Sequence, residues 1–123
     1  MTKTVADTEL TLITQAVRDY FEGWYDGDVE RMDRVLHPDL VKRGAGQDGP
    51  DSLRITTKER MLELTSLGEG KEDGADRSLD IRVDDATEDT ASVTVRSAVY
   101  HEYVHLVRTP AGWKVANALW RYT

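Results

Sequence analysis

The sequence predicts an α+β domain: three helices from the N-terminal half, packed on one side of a single curved, mostly antiparallel sheet. Two observations carry this. Amphipathic segments of helical period come first and runs of period two come last, and elements segregated in this way indicate α+β rather than alternating α/β. The closing stretch DTASVTVRSAVYHEYVHLVRTPAGWKVANALWRYT holds three strand-like runs rich in Val, Thr, Tyr and Trp, side chains that suit a pleated, half-buried surface. At 123 residues the chain makes one domain, residues 1–123, long enough to bury a single core.

Taken in order, Asp7 or Thr8 is placed to cap a first helix whose stripe carries Leu10, Ile13, Val17, Tyr20, Phe21 and Trp24. Gly27 stops it, and Asp28 caps a shorter helix bearing Val29, Met32, Val35 and Leu36. His37-Pro38 ends that helix, because a residue before proline avoids the α region. Leu40 to Arg43 reads as a short strand, Gly44 to Asp51 as a loop, and Leu53 to Ile55 as an extended edge. Thr56 and Glu59 have the spacing of a capping box for a third helix with Met61, Leu62 and Leu64. The charged, glycine-rich run from Gly68 to Asp76 buries too little to offset its ordering entropy and is expected to be solvated.

Leu79, Ile81 and Val83 alternate as a strand, and the three C-terminal runs follow. The last two join across Thr109-Pro110-Ala111-Gly112, where Pro110 presets φ for a turn. Pairing Arg108 with Trp113 puts Tyr100, Glu102, Val104 and Leu106 on one face with Trp113, Val115, Asn117 and Leu119. His101, Tyr103, His105 and Val107 then share the other with Lys114, Ala116, Ala118 and Trp120. The first face is assigned to the core. A bulge near the turn would exchange which residues share a face.

Composition excludes several classes. A formal charge of -7 without a Lys/Arg cluster argues against nucleic acid and anionic membranes as partners. With no cysteine, disulfides, thiol catalysis and thiolate metal sites are out, and no cofactor is expected. The start lacks the apolar core of a signal peptide and no run approaches membrane-spanning length, so the expected location is cytoplasmic.

The pairing of AVRDYFEGWYDGDVERMDRVLHPDLV with YVHLVRTPAGWKVANALW resembles the nuclear-transport-factor-two-like superfamily, closest to its lumazine-binding or SnoaL-like branch. The resemblance spans nearly the whole chain. It implies a cone-shaped domain, the sheet wrapped around the helices and open at one end to a pocket, and often a dimer through the outer sheet face. It leaves function open, since members include ketosteroid isomerases, dehydratases, cyclases, hydrolases and non-catalytic binding domains. Tyr20 matches the catalytic tyrosine of the ketosteroid isomerases. Their general base would fall at Gly44 or its neighbours Arg43 and Ala45, and their carboxylic acid at about Val104. Neither role is filled, which makes that chemistry unexpected, because a phenol alone cannot abstract a proton from carbon at neutral pH.

Tyr20 and Trp24, one helical turn apart, either pack in the core or wall a pocket with a phenol and an indole N–H. His37 either meets the C-terminal dipole of a helix or acts as a base at the pocket mouth. Glu102 is the leading acid/base candidate if desolvated, with Asn117 as an orienting amide, unless it reaches water or an arginine. His101 and His105 are four apart on a strand, about 13 Å from each other, too far to share a metal ion. With Tyr103, Ala116, Ala118 and Trp120 they read as a homodimer contact or a second ligand surface. Gly44 to Gly49 matches G-x-G-x-x-G, yet no helix follows to receive a pyrophosphate, so it reads as a loop. Two readings therefore stand: a homodimeric binding domain for a small apolar or cyclic ligand, ringed by Tyr20, Trp24, His37, Glu102 and Asn117, or a cofactor-independent isomerase or dehydratase using Glu102 or His37 with Tyr20. An interaction module working through the outer sheet face ranks third.

Overall fold

The structure, a computed structural model, describes residues 6–123. Helix α1 (Asp7–Asp26) buries Ile13, Ala16, Val17, Tyr20, Phe21 and Tyr25, the stripe its 3.6-residue period dictates. Its N-cap is Ala6 rather than Asp7 or Thr8. Asp7 and Glu9 sit instead in the first turn, where negative charge meets the helix dipole. Gly27 ends the helix at φ 66°, a left-handed conformation that glycine adopts without steric cost. Asp28 caps α2 (Val29–Val35), its carboxylate accepting from the Arg31 amide at 3.1 Å.

Strand β1 (Leu36–Ala45) begins directly after α2, earlier than Leu40, so His37 and Pro38 lie within a strand. The hairpin partner β2 (Leu53–Thr57) is an edge strand, and the glycine-rich segment between them is its connecting loop. Thr57, not Thr56, caps α3 (Lys58–Ser66) by accepting from the Arg60 amide. The Gly68–Asp76 run is more structured than its composition suggests. It contains a 3₁₀ turn (Glu72–Ala75), and Gly70 is buried against the Trp24 indole.

Strands β3 (Leu79–Ala86), β4 (Thr90–Ser97), β5 (Tyr100–Thr109) and β6 (Gly112–Tyr122) complete a six-stranded sheet of order β2-β1-β6-β5-β4-β3. Among the described residues β1 and β6 pair in parallel and the other neighbouring strands pair antiparallel. Helix α1 lies across one face of this sheet. Val93, Val95, Val104, Leu106 and Val115 meet Ile13, Val17 and Phe21 in one continuous core. Trp113 is buried there too, its indole donating to Glu9 of α1 at 2.7 Å.

Arg108 pairs with Trp113, and Leu106 with Val115, as the turn geometry predicts. The next pair is His105 with Asn117, leaving Ala116 as an extra residue on β6. This bulge reverses the faces of everything beyond it. Glu102 lies opposite Trp120, and Val104 opposite Ala118, on the helix side. His105 lies opposite Asn117, and Tyr103 opposite Leu119, on the outer side. Asn117 and Leu119 are therefore exposed rather than core, while Ala118 is buried and Trp120 packs against the core rather than facing outward.

Candidate functional site

Between α1, α3, the 3₁₀ turn and the strands β1, β2, β5 and β6 is a cavity of about 190 Å³. Phe21, Trp24, Tyr100 and Trp120 supply its aromatic walls, and Met61 and Leu64 of α3 its aliphatic side. Three polar side chains from three different elements meet at its floor.

Tyr20 reaches it because it lies on the buried stripe of α1. Glu102 reaches it because β5 alternates, with Tyr100, Glu102, Val104 and Leu106 all turned to the helix side. Lys42 follows the same rule on β1, in step with buried Leu40 and Gly44. Small residues make the room: Lys42 lies level with Ala118 on the neighbouring strand, and Gly44 with Trp120. A Cβ at Gly44 would stand 2.7 Å from the Gln47 side-chain oxygen and 3.0 Å from the Trp120 indole nitrogen, so glycine lets both pack closely over β1.

The three groups form a chain. The Lys42 ammonium donates to the Tyr20 hydroxyl at 2.5 Å, and the hydroxyl donates to Glu102 Oε2 at 2.5 Å. Lys42 Nζ also lies 3.6 Å from Glu102 Oε1, closing the triangle as an ion pair. The ammonium stands 4.9 Å from the Tyr20 ring centroid and 5.3 Å from that of Trp120, within cation–π range. Glu102 is 1 % exposed, so this charge has left water and is sustained by the ion pair and the phenol. Burial and the adjacent Glu102 charge push the Tyr20 phenol well above its ordinary range, so it stays a proton donor. Burial lowers the Lys42 amine, while the attraction of Glu102 opposes the shift.

A second polar cluster lies at the other end of the cavity. The Trp24 indole donates to the Tyr100 hydroxyl at 3.0 Å, and Tyr100 in turn donates to Asp73 on the 3₁₀ turn. Desolvation, then the hydrogen bond to Asp73, holds the Tyr100 phenol far above its ordinary value.

Tyr20, Trp24 and Glu102 are thus brought together as the sequence predicts. Two other predicted residues are not. His37 is half-exposed on β1, its Nδ1 accepting from the Asp39 amide at 3.0 Å, and it does not line the cavity. Asn117 is turned outward by the bulge and hydrogen-bonds His105 at 2.9 Å. Of the expected outer contact, His101, Tyr103 and His105 stay on that face, whereas Ala118 and Trp120 belong to the inner one and Trp120 lines the cavity. Ala116 is the bulge residue itself.

Lys42, Tyr100 and Asp73 join the site without having been singled out. The signal for Lys42 was its two-residue spacing from Leu40 on a strand. Asp73 sits in a segment whose composition reads as solvent-facing. Near Val104, where the isomerase resemblance expects a carboxylic acid, the same face of β5 carries Glu102 two residues earlier, but as the anion paired with Lys42. The carboxylate base near Gly44 does not exist. Lys42, not a carboxylate, lines the cavity on that part of β1.

Among the described residues no helix is long and apolar enough to cross a membrane. No curated protein matches the sequence. Solved structures are similar over almost its whole length. An NTF2-like protein of unknown function from Silicibacter pomeroyi aligns with a TM-score of 0.73 at 12% identity, covering 98% of this chain and 100% of that one. An NTF2-like protein of unknown function in nutrient uptake from Rhodospirillum rubrum gives 0.64 at 21%, covering 90% and 98%. A ketosteroid isomerase-like protein from Erwinia carotovora atroseptica gives 0.65 at 19%, covering 95% and 98%. At these identities the likeness is one of fold. The sequence itself matches, over residues 8–121, the family described as Putative lumazine-binding, and the chain belongs to that family.

Proposed function

We propose that the cavity binds one compact cyclic molecule of one or two rings. Its faces would lie against Trp24, Tyr100 and Trp120, and a carbonyl or ring-nitrogen edge would meet Lys42, Tyr20 and Glu102. The observation that carries this reading is the buried Lys42–Tyr20–Glu102 network at the floor of an aromatic-walled space. Desolvated polar groups aimed into an apolar cavity fix the orientation of a ligand, while flat rings supply most of the affinity. Size supports a small occupant, since an apolar cavity of about 150 Å³ holds a benzene. Lumazine, which the family's description names, is a planar two-ring heterocycle with carbonyl acceptors and is the first ligand to try.

Calorimetric titration of the protein with lumazine, other planar heterocycles and cyclic ketones tests the reading. Saturable binding to at least one is expected, weakened about tenfold, or about 1.4 kcal/mol, by Lys42→Met. No saturable binding across the set would overturn it. Dehydration or isomerisation by Glu102 ranks behind binding, because Tyr20 and Lys42 already engage both of its oxygens.

We also propose that the outer sheet face joins two copies of the chain. Tyr103 and Leu119 are exposed there, 47% and 43%, beside His101, His105 and Asn117. Sedimentation should show a dimer that His105→Glu weakens at unchanged circular dichroism. A wild-type monomer at micromolar concentration would count against it.

A further inference from the structure

We infer that Lys42 forms a Schiff base with an aldehyde or ketone bound in the cavity. The inference rests on the ligand-binding reading above and adds the chemical class of ligand.

Three geometric features of the site point to it, and burial adds a fourth. The amine is placed where a ligand must touch it: its side chain is 13% exposed and lines the cavity. A proton path away from the nitrogen is already hydrogen-bonded, from Nζ to the Tyr20 hydroxyl and from there to Glu102. The cationic product would have a home, since Glu102 Oε1 lies 3.6 Å from Nζ and the rings of Tyr20 and Trp120 flank it. Burial lowers the amine's proton affinity, and so raises the fraction of nucleophilic neutral nitrogen.

The steps balance within this chain and its ligand. The ammonium passes one proton to Tyr20 as the phenol passes its own to Glu102, leaving a neutral amine and a neutral carboxylic acid. The nitrogen lone pair attacks the carbonyl carbon, a C–N bond forms, and the C=O π pair moves to oxygen. A proton shifts from nitrogen to that oxygen, giving the neutral carbinolamine. Glu102 returns its proton through Tyr20 to the hydroxyl, which leaves as water while the nitrogen lone pair closes the C=N bond. The result is a protonated imine beside an ionised Glu102. One water is released, and nothing is oxidised or reduced.

The test incubates the whole protein with benzaldehyde, reduces it with borohydride, and locates the benzyl group by peptide mapping. The expected result is a single adduct on Lys42, formed about tenfold or more faster than on Lys71 and Lys114, and slowed by Tyr20→Phe. Lys42→Arg, which keeps the charge and loses the nucleophile, should give none at that position. Benzyl alcohol, which fills the same space without a carbonyl, separates the two claims by calorimetry. If benzyl alcohol binds and Lys42 labels no faster than the other lysines, the imine inference is overturned while the binding site stands. If neither compound binds, both fall.

Discussion

The cavity has the same chemical pair at each end, a tyrosine hydroxyl donating to a carboxylate, in two different settings. At the floor, Tyr20 on Glu102 is held between a long helix and a central strand, and a lysine completes the set. At the other end, Tyr100 on Asp73 is tied to a short 3₁₀ turn, and a neutral indole takes the lysine's place. Burial accounts for the difference. Glu102 has left water and is sustained by a cation, whereas half-buried Asp73 keeps solvent for part of its charge. Removing one member is therefore expected to cost more at the floor, where the charge left behind has no water, than at the opposite end.

Charge removal at each pole should show the contrast most strongly. Glu102→Gln keeps shape and an acceptor for Tyr20, yet strands the Lys42 ammonium in a desolvated site. We expect a loss of about 3–5 kcal/mol, as for other buried pairs broken on one side. Lys42→Met should cost a similar amount, and the double variant should recover most of it, because two uncharged groups of similar volume need no partner. Asp73→Asn should cost about 1 kcal/mol or less. Urea unfolding of the four variants reads all of these. Equal losses at Glu102 and Asp73, or additive losses at Lys42 and Glu102, would remove the distinction between the poles.

How far this site was legible in the sequence follows from the forces that place each residue. Tyr20 and Trp24 were legible because a 3.6-residue stripe on an isolated amphipathic helix has one way to face a sheet. The hairpin register was legible from Thr109 back to Leu106, where the two-residue loop alone sets the pairing. Past that point Ala116 decides. A single extra residue left Asn117 exposed and brought Trp120 to the cavity, and a bulge has no residue signature as firm as that of a turn. Lys42 carried a signal in its spacing from Leu40, but a lysine on an inner face is expected only once its anion is known. That anion, Glu102, lies two strands away in the sheet. Asp73 was hidden for another reason: its glycine-rich surroundings read as solvent-facing, and its placement comes from Tyr100 and Trp24, which are distant in sequence.

Alkaline titration gives the smallest effect, a change of slope more than of midpoint, and it separates the groups by sign. Lys42 is lowered in the folded chain. Between its folded value and the ordinary lysine value of about 10.4, the unfolded chain binds more protons, so stability rises with pH in that window. Tyr20 and Tyr100 are raised. Their contribution is whole below the ordinary phenol value of about 10, and above it the folded chain holds protons that the unfolded chain has released, so stability falls as pH climbs. Wild-type stability should thus rise towards pH ~10 and fall beyond it, with the phenolate absorbance of Tyr20 and Tyr100, read as the difference from their Phe variants, appearing only as the chain unfolds. Lys42→Met should flatten the rise. Tyr20→Phe and Tyr100→Phe should each reduce the fall by the same amount, about 1.4 kcal/mol per pH unit above pH ~10, because each removes one proton that the folded chain retains. A phenolate signal appearing at pH ~10 in the folded protein from either tyrosine would mean that its carboxylate does not hold the proton as the geometry requires, and a substitution that leaves the fall unchanged would show that its phenol ionises as readily folded as unfolded.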